Sequence, residues 1–240
     1  PTGPRPPVVL QVLPALVTGG VERGTSDVAT ALVEAGWTSL VASEGGPMSR
    51  ELSRVGAEHI TLPLASKNPL VIRRNTEHLA ELITARGVDI LHARSRAPAW
   101  SAWAAAQQTG CHFLTTFHGT YNLGLLGLKE RYNSVMTRGE RVIAISDFIA
   151  EHVWRTYGVE PERIRIVPRG IDLTRFDPAR VSQERIIQLA QKWRLPDGCP
   201  VIMLPGRLTR WKGQGVLIEA VARLGRRDLR CLLVGSDQGR

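Results

Sequence analysis

The sequence has few aromatic residues, few cysteines and no long apolar run. Aromatic residues make up 5% of the 240 residues, which is few for a surface that stacks nucleic-acid bases. No uninterrupted apolar run approaches the roughly 20 residues that a membrane-spanning helix needs. Cys111, Cys199 and Cys231 lack the spacing of a metal site, so we expect buried free thiols in a reducing, cytoplasmic compartment.

Motifs for metal binding and covalent catalysis are also absent. There is no paired-cysteine motif, no His-x-x-x-His helix and no Ser-His-Asp arrangement. Zinc chemistry and covalent hydrolysis therefore have no support, and no metal site is predicted. The proline-rich start at residues 1–7 leads straight into an apolar strand pattern, which is not the pattern of a secretory signal peptide.

Positive charge is in excess along the whole chain. Lys and Arg number 31 against 22 Asp and Glu, which gives a formal net charge of +9. The arginines are spread over the sequence rather than concentrated in one arm. This distribution favours anionic substrates and an anionic membrane surface as partners over nucleic acid. A generally arginine-rich composition without a specific partner is the alternative.

Apolar runs of strand length alternate with amphipathic segments, which predicts a doubly wound α/β fold. Strands are predicted at residues 8–13, 40–42, 59–62, 89–93, 111–117, 141–145, 164–167, 201–204 and 230–234. Helices are predicted after Gly20, at 75–86, at 97–109, after Ser146, at 182–194 and at 214–224. Residues 1–167 are predicted to form a complete Rossmann-like domain, 168–196 a linker and helix, and 197–240 the incomplete start of a second Rossmann-like domain.

Two of the predicted strands lead through glycines into a helix, a pattern typical of phosphate-binding turns. Gly19 and Gly20 follow the first strand, although their spacing matches neither the dinucleotide fingerprint nor a P-loop. Gly206 and Arg207, with Lys212 five residues later, follow the strand at 201–204. Glycine lets the backbone approach a ligand, and two cations at a helix start favour a diphosphate. An ordinary turn at the first position and a solvated basic turn at the second are the alternatives.

Two polar residues stand directly after other predicted strands. His118 follows the strand at 111–117, at the edge where open α/β sheets bind ligands, and could donate a hydrogen bond or exchange a proton. A hydrogen-bonded loop histidine is the alternative. Ser146 is predicted to cap the following helix, with ligand contact as an added hypothesis. The predicted inner face of that helix consists of Phe148, Ile149, Val153 and Trp154.

The order of these motifs along the chain resembles that of family 4 glycosyltransferases, which have the GT-B fold. The motifs are Thr18-Gly19-Gly20-Val21-Glu22-Arg23, Thr116-Phe117-His118-Gly119-Thr120-Tyr121, Ala144-Ile145-Ser146, Ile166-Val167-Pro168-Arg169-Gly170-Ile171-Asp172 with Phe176, Gly206-Arg207-Leu208 with Lys212-Gly213, and Leu232-Leu233-Val234-Gly235. Each motif is loose, but their joint order is specific and extends over essentially the whole chain.

This resemblance implies a retaining transfer of a sugar from a nucleotide diphosphate-sugar, with no metal and no further cofactor. In that family the first domain mainly holds the acceptor and the second holds the donor nucleotide. His118 would hydrogen-bond and position the donor sugar, while Arg207 and Lys212 would neutralise the departing diphosphate. These are the implied catalytic residues. The implied donor-binding residues are Gly19, Gly20, Ser146, Gly206, Arg207, Lys212 and Gly235, and the implied acceptor-side residues are Glu22 and Tyr121.

The implied acceptor is a cell-envelope glycan or glycolipid, as in lipopolysaccharide or glycolipid biosynthesis, on the cytoplasmic face of a membrane. Residues 121–131 are apolar and then basic, which is consistent with an acceptor- or membrane-facing segment or with a helix packed on the sheet. We expect peripheral binding to an anionic leaflet.

The chain departs from the family pattern in two places. Arg169 stands where the family often has Asn between Pro and Gly. The family's spaced pair of glutamates, which holds the donor sugar and ribose, would lie beyond Arg240. We therefore expect the 240-residue chain to be inactive or nearly so, and to associate through the open edge of the strand at 230–234.

Three other functions compete with sugar transfer. A nucleotide-sugar epimerase of GT-B architecture would need further catalytic carboxylates and histidines. A dinucleotide oxidoreductase is disfavoured because Gly19-Gly20 departs from the fingerprint and Ser43-Glu44 is a weak candidate for the ribose contact. A non-catalytic nucleotide-binding module stays open, because the chain carries only the phosphate-binding start of the donor domain.

Overall fold

The chain divides into two units, Pro1–Gly170 and Ile171–Arg240. A computed structural model describes residues 5–121 and 128–236. Within these residues, no helix is both long enough and apolar enough to cross a lipid bilayer. The predicted boundaries of the linker, at residues 168 and 196, stay predictions.

The first unit is built on a parallel sheet of seven strands. They are β1 Val8–Val12, β2 Thr38–Ser43, β3 Glu58–Thr61, β4 Ile90–Ala93, β5 His112–Phe117, β6 Arg141–Ala144 and β7 Ile164–Ile166. The strand order is β3-β2-β1-β4-β5-β6-β7. Leu10 of β1 lies in register with Leu40 on one side and Leu91 on the other. All of these strands were predicted from the apolar runs, to within two residues at each end.

Helices connect successive strands. They are α1 Gly20–Glu34, α2 Ser49–Arg54, α3 Pro69–Arg86, α4 Arg96–Thr109, α5 Leu128–Asn133 and α6 Asp147–Tyr157. Helix α3 begins earlier than predicted, because the Asn68 side chain accepts a 2.9 Å hydrogen bond from the Leu70 N–H and Pro69 occupies the first helical position. Helix α2 was missed, because a single buried residue, Leu52, gives it no apolar periodicity.

The core of the first unit lies on both faces of the sheet. Along β2, Leu40 and Ala42 belong to the larger apolar cluster, while Val41 belongs to a smaller one with Leu13 and Ala29. Successive strand residues point to opposite faces, so this alternation shows that helices cover the sheet on both sides. That arrangement is the predicted doubly wound architecture.

Two expectations about side-chain burial were wrong. Ile149 and Val153 of α6 are buried, but Phe148 is 68% exposed and Trp154 is 50% exposed. The apolar residues of α6 therefore occupy two sides of the helix rather than one. The cysteines are free, as expected, but they are half-buried rather than buried.

The second unit contains two parallel strands, β8 Val201–Pro205 and β9 Arg230–Val234. Two helices, α7 Gln183–Lys192 and α8 Gln214–Leu224, lie within two residues of their predicted positions. None of the residues described for this unit, 171–236, is buried. The contrast with the first unit is largest in the strands, since every residue of β1 is buried and none of β8 is.

Candidate functional site

The strand order of the first unit reverses between β1 and β4. Connections therefore leave the carboxyl ends of these two strands in opposite directions, which opens the crevice where α/β sheets usually bind ligands. The Gly19–Gly20 turn comes after β1 and Arg94 comes directly after β4. The backbone N–H of Arg94 donates to the Val12 carbonyl at 2.9 Å, so this arginine is held at the reversal point.

The turn at Gly19 favours glycine, because its φ of +150° is disfavoured for other residues. Oε2 of Glu22 lies 2.5 Å from the position that a Cβ at Gly19 would take, although the end of this flexible side chain can move aside. Glu22 is the third residue of α1, so its carboxylate interacts favourably with the positive end of the helix. Glu22, predicted on the acceptor side, therefore folds back over the turn.

Arg169 connects Gly20 with His118. One guanidinium nitrogen donates to the Gly20 carbonyl, and the other donates to Nδ1 of His118 at 2.6 Å. Because arginine has no acceptor, Nδ1 must be the unprotonated nitrogen of His118, and Nε2 carries the proton. Nε2 is buried without a hydrogen-bond partner among the residues described. His118 can therefore offer one hydrogen-bond donor to a ligand.

The surroundings of His118 keep its imidazole neutral. Burial, followed by the positive charges of Arg94 and Arg169, lowers its pKa to about 3. A histidine with this pKa holds almost no second proton at pH 7, so it is a poor general acid there. Of the two roles considered from the sequence, the geometry favours hydrogen-bond donation over proton exchange.

Tyr121 packs against the core of the first unit. Its ring centroid lies 5.2 Å from that of Phe117, and the guanidinium carbon of Arg96 lies 4.3 Å from the ring centroid. Burial raises the pKa of the Tyr121 hydroxyl to about 12. These contacts give Tyr121 a packing role, and its contact with an acceptor stays a prediction.

Ser146 caps α6, as predicted. Its hydroxyl oxygen accepts a hydrogen bond from the backbone N–H of Ile149 at 3.3 Å. This bond satisfies one of the free N–H groups at the helix start. The capping role is confirmed, and contact between Ser146 and the donor stays a prediction.

The second unit has the predicted strand, basic turn and helix. Gly213, with φ of +84°, precedes α8, and no side chain caps that helix. Gln214 Nε2 donates to the Arg207 carbonyl at 2.7 Å, which ties the turn to the helix start. Arg207 and Lys212 are exposed, and among the residues described neither has a carboxylate within ion-pair distance. Both cations are therefore available to an anion.

Gly235 has a clear structural role in the same turn. The Gly206 N–H donates to the Val234 carbonyl at 2.8 Å, and the Leu208 N–H donates to the Ser236 carbonyl at 3.1 Å. A Cβ at Gly235 would collide with the Gly206 carbonyl oxygen, whereas one at Gly206 would meet open space. Gly235 is thus needed for the close approach of the two segments, and its contact with a donor stays a prediction.

Arg94 and Arg169 are the site residues that sequence reasoning did not assign. Arg94 is only 5% exposed, and a charged residue immediately after a buried parallel strand is the signal that could have found it. The contact between Arg169 and His118 spans 51 positions in sequence, so no local pattern could have revealed it.

The family is established by a direct match. The model for Glycosyltransferase Family 4 matches residues 18–175, about two thirds of the chain. The chain belongs to glycosyltransferase family 4. The matched range includes the Gly19–Gly20 turn, His118 and Arg169, so the first-unit site of this family 4 chain lies entirely within it.

Solved structures and curated relatives agree with this assignment. A glycosyltransferase from Rickettsia africae is 43% identical with a TM-score of 0.84, over 96% of the family 4 chain and 60% of that protein. Anabaena HepE in complex with UDP and glucose has a TM-score of 0.77 at 18% identity, over 95% of the family 4 chain and 61% of HepE. The D-inositol 3-phosphate glycosyltransferase of Xylanimonas cellulosilytica is 28% identical over 63% of this chain and 39% of its own length.

These matches confirm the GT-B fold class. They also show that the family 4 chain spans about 40% of the length of that curated relative and 60% of the solved relatives.

Proposed function

We propose that this family 4 chain is part of a glycosyltransferase that moves a sugar from a nucleoside diphosphate-sugar to a hydroxyl group of its acceptor. The proposed transfer retains the anomeric configuration and needs no metal ion. The family match supports transfer over the epimerase, oxidoreductase and non-catalytic alternatives. Anabaena HepE, which has a similar fold, forms a complex with UDP and glucose, and this supports a nucleotide-sugar as donor.

The observation that carries this proposal is the exposed cation pair of the second unit. Arg207 and Lys212 both lie in the turn before the uncapped start of α8. As the bond between sugar and diphosphate breaks, negative charge grows on the leaving phosphate. Two cations and a helix N-terminus would stabilise that charge without a metal ion, and would stabilise the transition state more than the ground state.

His118 is proposed to position the donor sugar. Because Arg169 occupies Nδ1, the Nε2–H group is the only hydrogen-bonding group that the imidazole can offer. A sugar hydroxyl is a suitable acceptor for it. Burial, together with the neighbouring arginines, keeps the imidazole neutral, so this donor is constant across the physiological pH range.

The acceptor is proposed to be a cell-envelope glycan or glycolipid, reached from the cytoplasmic side of the membrane. The net charge of +9 supports peripheral binding to an anionic leaflet. Most of the apolar and basic segment 121–131 lies outside the described residues, so its predicted contact with acceptor or membrane stays a prediction.

Thermal-shift titration with UDP, GDP and ADP tests the donor site. We expect one nucleotide to raise the melting temperature of the chain, because a ligand at about 100 times its Kd stabilises the folded state by roughly 2.7 kcal/mol. The double variant Arg207→Ala/Lys212→Ala should abolish this shift.

The matched control is Arg223→Ala/Arg227→Ala, which removes two exposed cations from the other end of α8 and the loop after it. It should keep the full nucleotide shift. If both double variants lost the same part of the nucleotide-induced shift in melting temperature, the shift would reflect the overall positive charge and not a site at Arg207 and Lys212. No shift with any nucleotide would contradict a donor site in this chain.

A further inference from the structure

Arg94 is a buried cation that forms no ion pair with the residues described. Its side chain is 5% exposed, and its Nε is buried without a hydrogen-bond partner. Among residues 5–121 and 128–236, no carboxylate lies within ion-pair distance of it. Buried charges are normally paired, because removing an ion from water is costly without a counter-charge. A ligand that carries the counter-charge resolves this imbalance.

Arg94 is charged at neutral pH in spite of its burial. Burial, and then the charge of Arg169, lowers its pKa to about 10. The negative charge of Asp27 opposes this effect, but Asp27 is exposed and forms no ion pair with Arg94. The cation is therefore retained, and the exposed carboxylate of Asp27 offsets its charge without forming an ion pair.

A second guanidinium lies on the same helix face. Gly24 faces both arginines, since a Cβ there would lie 3.0 Å from a terminal nitrogen of Arg94 and 3.2 Å from one of Arg169. A Cβ at Gly20, one turn earlier, would lie 3.1 Å from the same Arg169 nitrogen. The two glycines therefore make room for the two guanidinium groups beside the first turns of α1.

We propose that Arg94 and Arg169 bind a phosphate monoester group carried by the sugar acceptor. Each guanidinium group has five N–H donors, and Arg169 uses one on each terminal nitrogen for Gly20 and His118. The remaining donors and the two positive charges suit the three terminal oxygens and double charge of a phosphate monoester. Nδ1 of His118 is already held by Arg169, and Nε2–H is the group proposed to bind the donor sugar, so the two arginines alone are proposed to bind the phosphate. That the phosphate belongs to the acceptor rests on the proposed function. That Arg94 and Arg169 bind a phosphate does not.

The charge distribution separates this phosphate from those of the donor. The second unit has its own exposed cations, Arg207 and Lys212, for a diphosphate. Glu22 already lies against the positive end of α1, over Gly19. A phosphate in the first unit therefore binds to the arginine side chains rather than to the helix start alone.

Calorimetric titration of the 240-residue chain tests the site, with inorganic phosphate and glycerol 1-phosphate as probes and chloride used to keep ionic strength constant. We expect millimolar or tighter binding that weakens at least tenfold in Arg94→Gln and in Arg169→Gln. The control Arg74→Gln removes an exposed arginine of α3 and should stay within twofold of the original chain. Unchanged phosphate affinity in Arg94→Gln and Arg169→Gln would overturn the proposal.

A parallel titration with UDP distinguishes the two sources of phosphate. UDP affinity should fall in Arg207→Ala/Lys212→Ala and remain within twofold in Arg94→Gln. If Arg94→Gln weakens UDP and phosphate by the same factor, the site holds the donor phosphates and the acceptor assignment is wrong. If UDP fails to bind any variant while phosphate binding still depends on Arg94, the donor proposal fails and the phosphate site stands.

Two measurements keep the test decisive if Arg94→Gln does not fold. Arg169 is exposed, so Arg169→Gln tests the site without altering the core. In the unsubstituted chain, phosphate should shift the imidazole ¹⁵N resonances of His118 at saturation and raise its pKa. Imidazole resonances that do not move at saturating phosphate would place the anion elsewhere and refute the site.

Discussion

The two units share a local sequence pattern, but the residues of that pattern are buried to different extents. Both contain an apolar strand, a turn with glycine and a helix. In the first unit β1 lies between two neighbouring strands and is wholly buried, whereas β8 has one neighbour and no buried residue. Apolar sequence therefore determines that a strand forms, while burial depends on how many strands and helices pack around it.

The same contrast applies to the charged residues. Arg94 lies inside the first unit, where low polarity strengthens its effect on His118. Arg207 and Lys212 lie in solvent, where water and salt screen them until a ligand binds. The protonation state of His118 in the first unit is therefore set before any ligand binds. The cations of the second unit stay solvated until an anion binds to them.

The largest expected difference is in how much stability each sheet loses when one of its leucines is replaced by alanine. Leu91 is fully buried in β4, and Leu233 in β9 is 38% exposed. We expect Leu91→Ala to lower the free energy of unfolding by about 2–5 kcal/mol, and Leu233→Ala to lower it by less than about 1 kcal/mol. Urea unfolding followed by circular dichroism measures both. Equal losses would show that β9 is as well packed as β4, which would break the comparison.

A second test compares Gly206, in the basic turn after β8, with Gly235, directly after β9. Gly235→Ala should destabilise the second unit by about 1–3 kcal/mol, because its Cβ has no room beside the Gly206 carbonyl. Gly206→Ala places its Cβ in open space and should change the stability by less than about 0.5 kcal/mol. The indole ¹H–¹⁵N resonance of Trp211, which lies in the basic turn, reports local unfolding separately from the other tryptophans. Similar effects of the two substitutions would contradict this close approach of β8 and β9.

Most of the strands could be predicted from the sequence, because a parallel strand that is covered on both faces consists of a short run of apolar residues. All nine strands lie near their predicted positions. Helix α2 escaped prediction because a short helix with a single buried residue has no periodicity. The exposure of Phe148 and Trp154 was not predicted, because the sequence pattern of a helix does not show how many other elements pack against it.

The candidate site divides in the same way. His118, Arg207 and Lys212 were found because each stands beside a strand end or a helix start. The partners that set the state of His118 were not found, because they come from the end of β4 and from the segment after β7. Local pattern reveals which residues reach the ligand edge of a sheet, but the protonation of those residues depends on long-range packing.

The smallest predicted effect is a pH dependence confined to the first unit. The pKa of His118 is lowered from 6.5 to about 3 in the folded state. The unfolded chain therefore binds a proton first as the pH falls, so the stabilisation is complete above pH 6.5 and is lost progressively toward pH 3. Each pH unit inside this window costs up to about 1.4 kcal/mol. His92, whose pKa is also lowered by burial, adds to the loss.

The variant His118→Gln removes the titrating group and should flatten this dependence by roughly 1–2 kcal/mol between pH 6.5 and 4.5. His78→Gln, an exposed substitution on α3, should follow the unsubstituted chain. All six histidines precede residue 171, so the indole ¹H–¹⁵N resonance of Trp211 should show no histidine-linked transition in the second unit over this range. If His118→Gln and the unsubstituted chain lose stability in parallel, burial and the two arginines do not hold His118 neutral. The contrast between a site with fixed protonation in the first unit and solvated cations in the second would then fail.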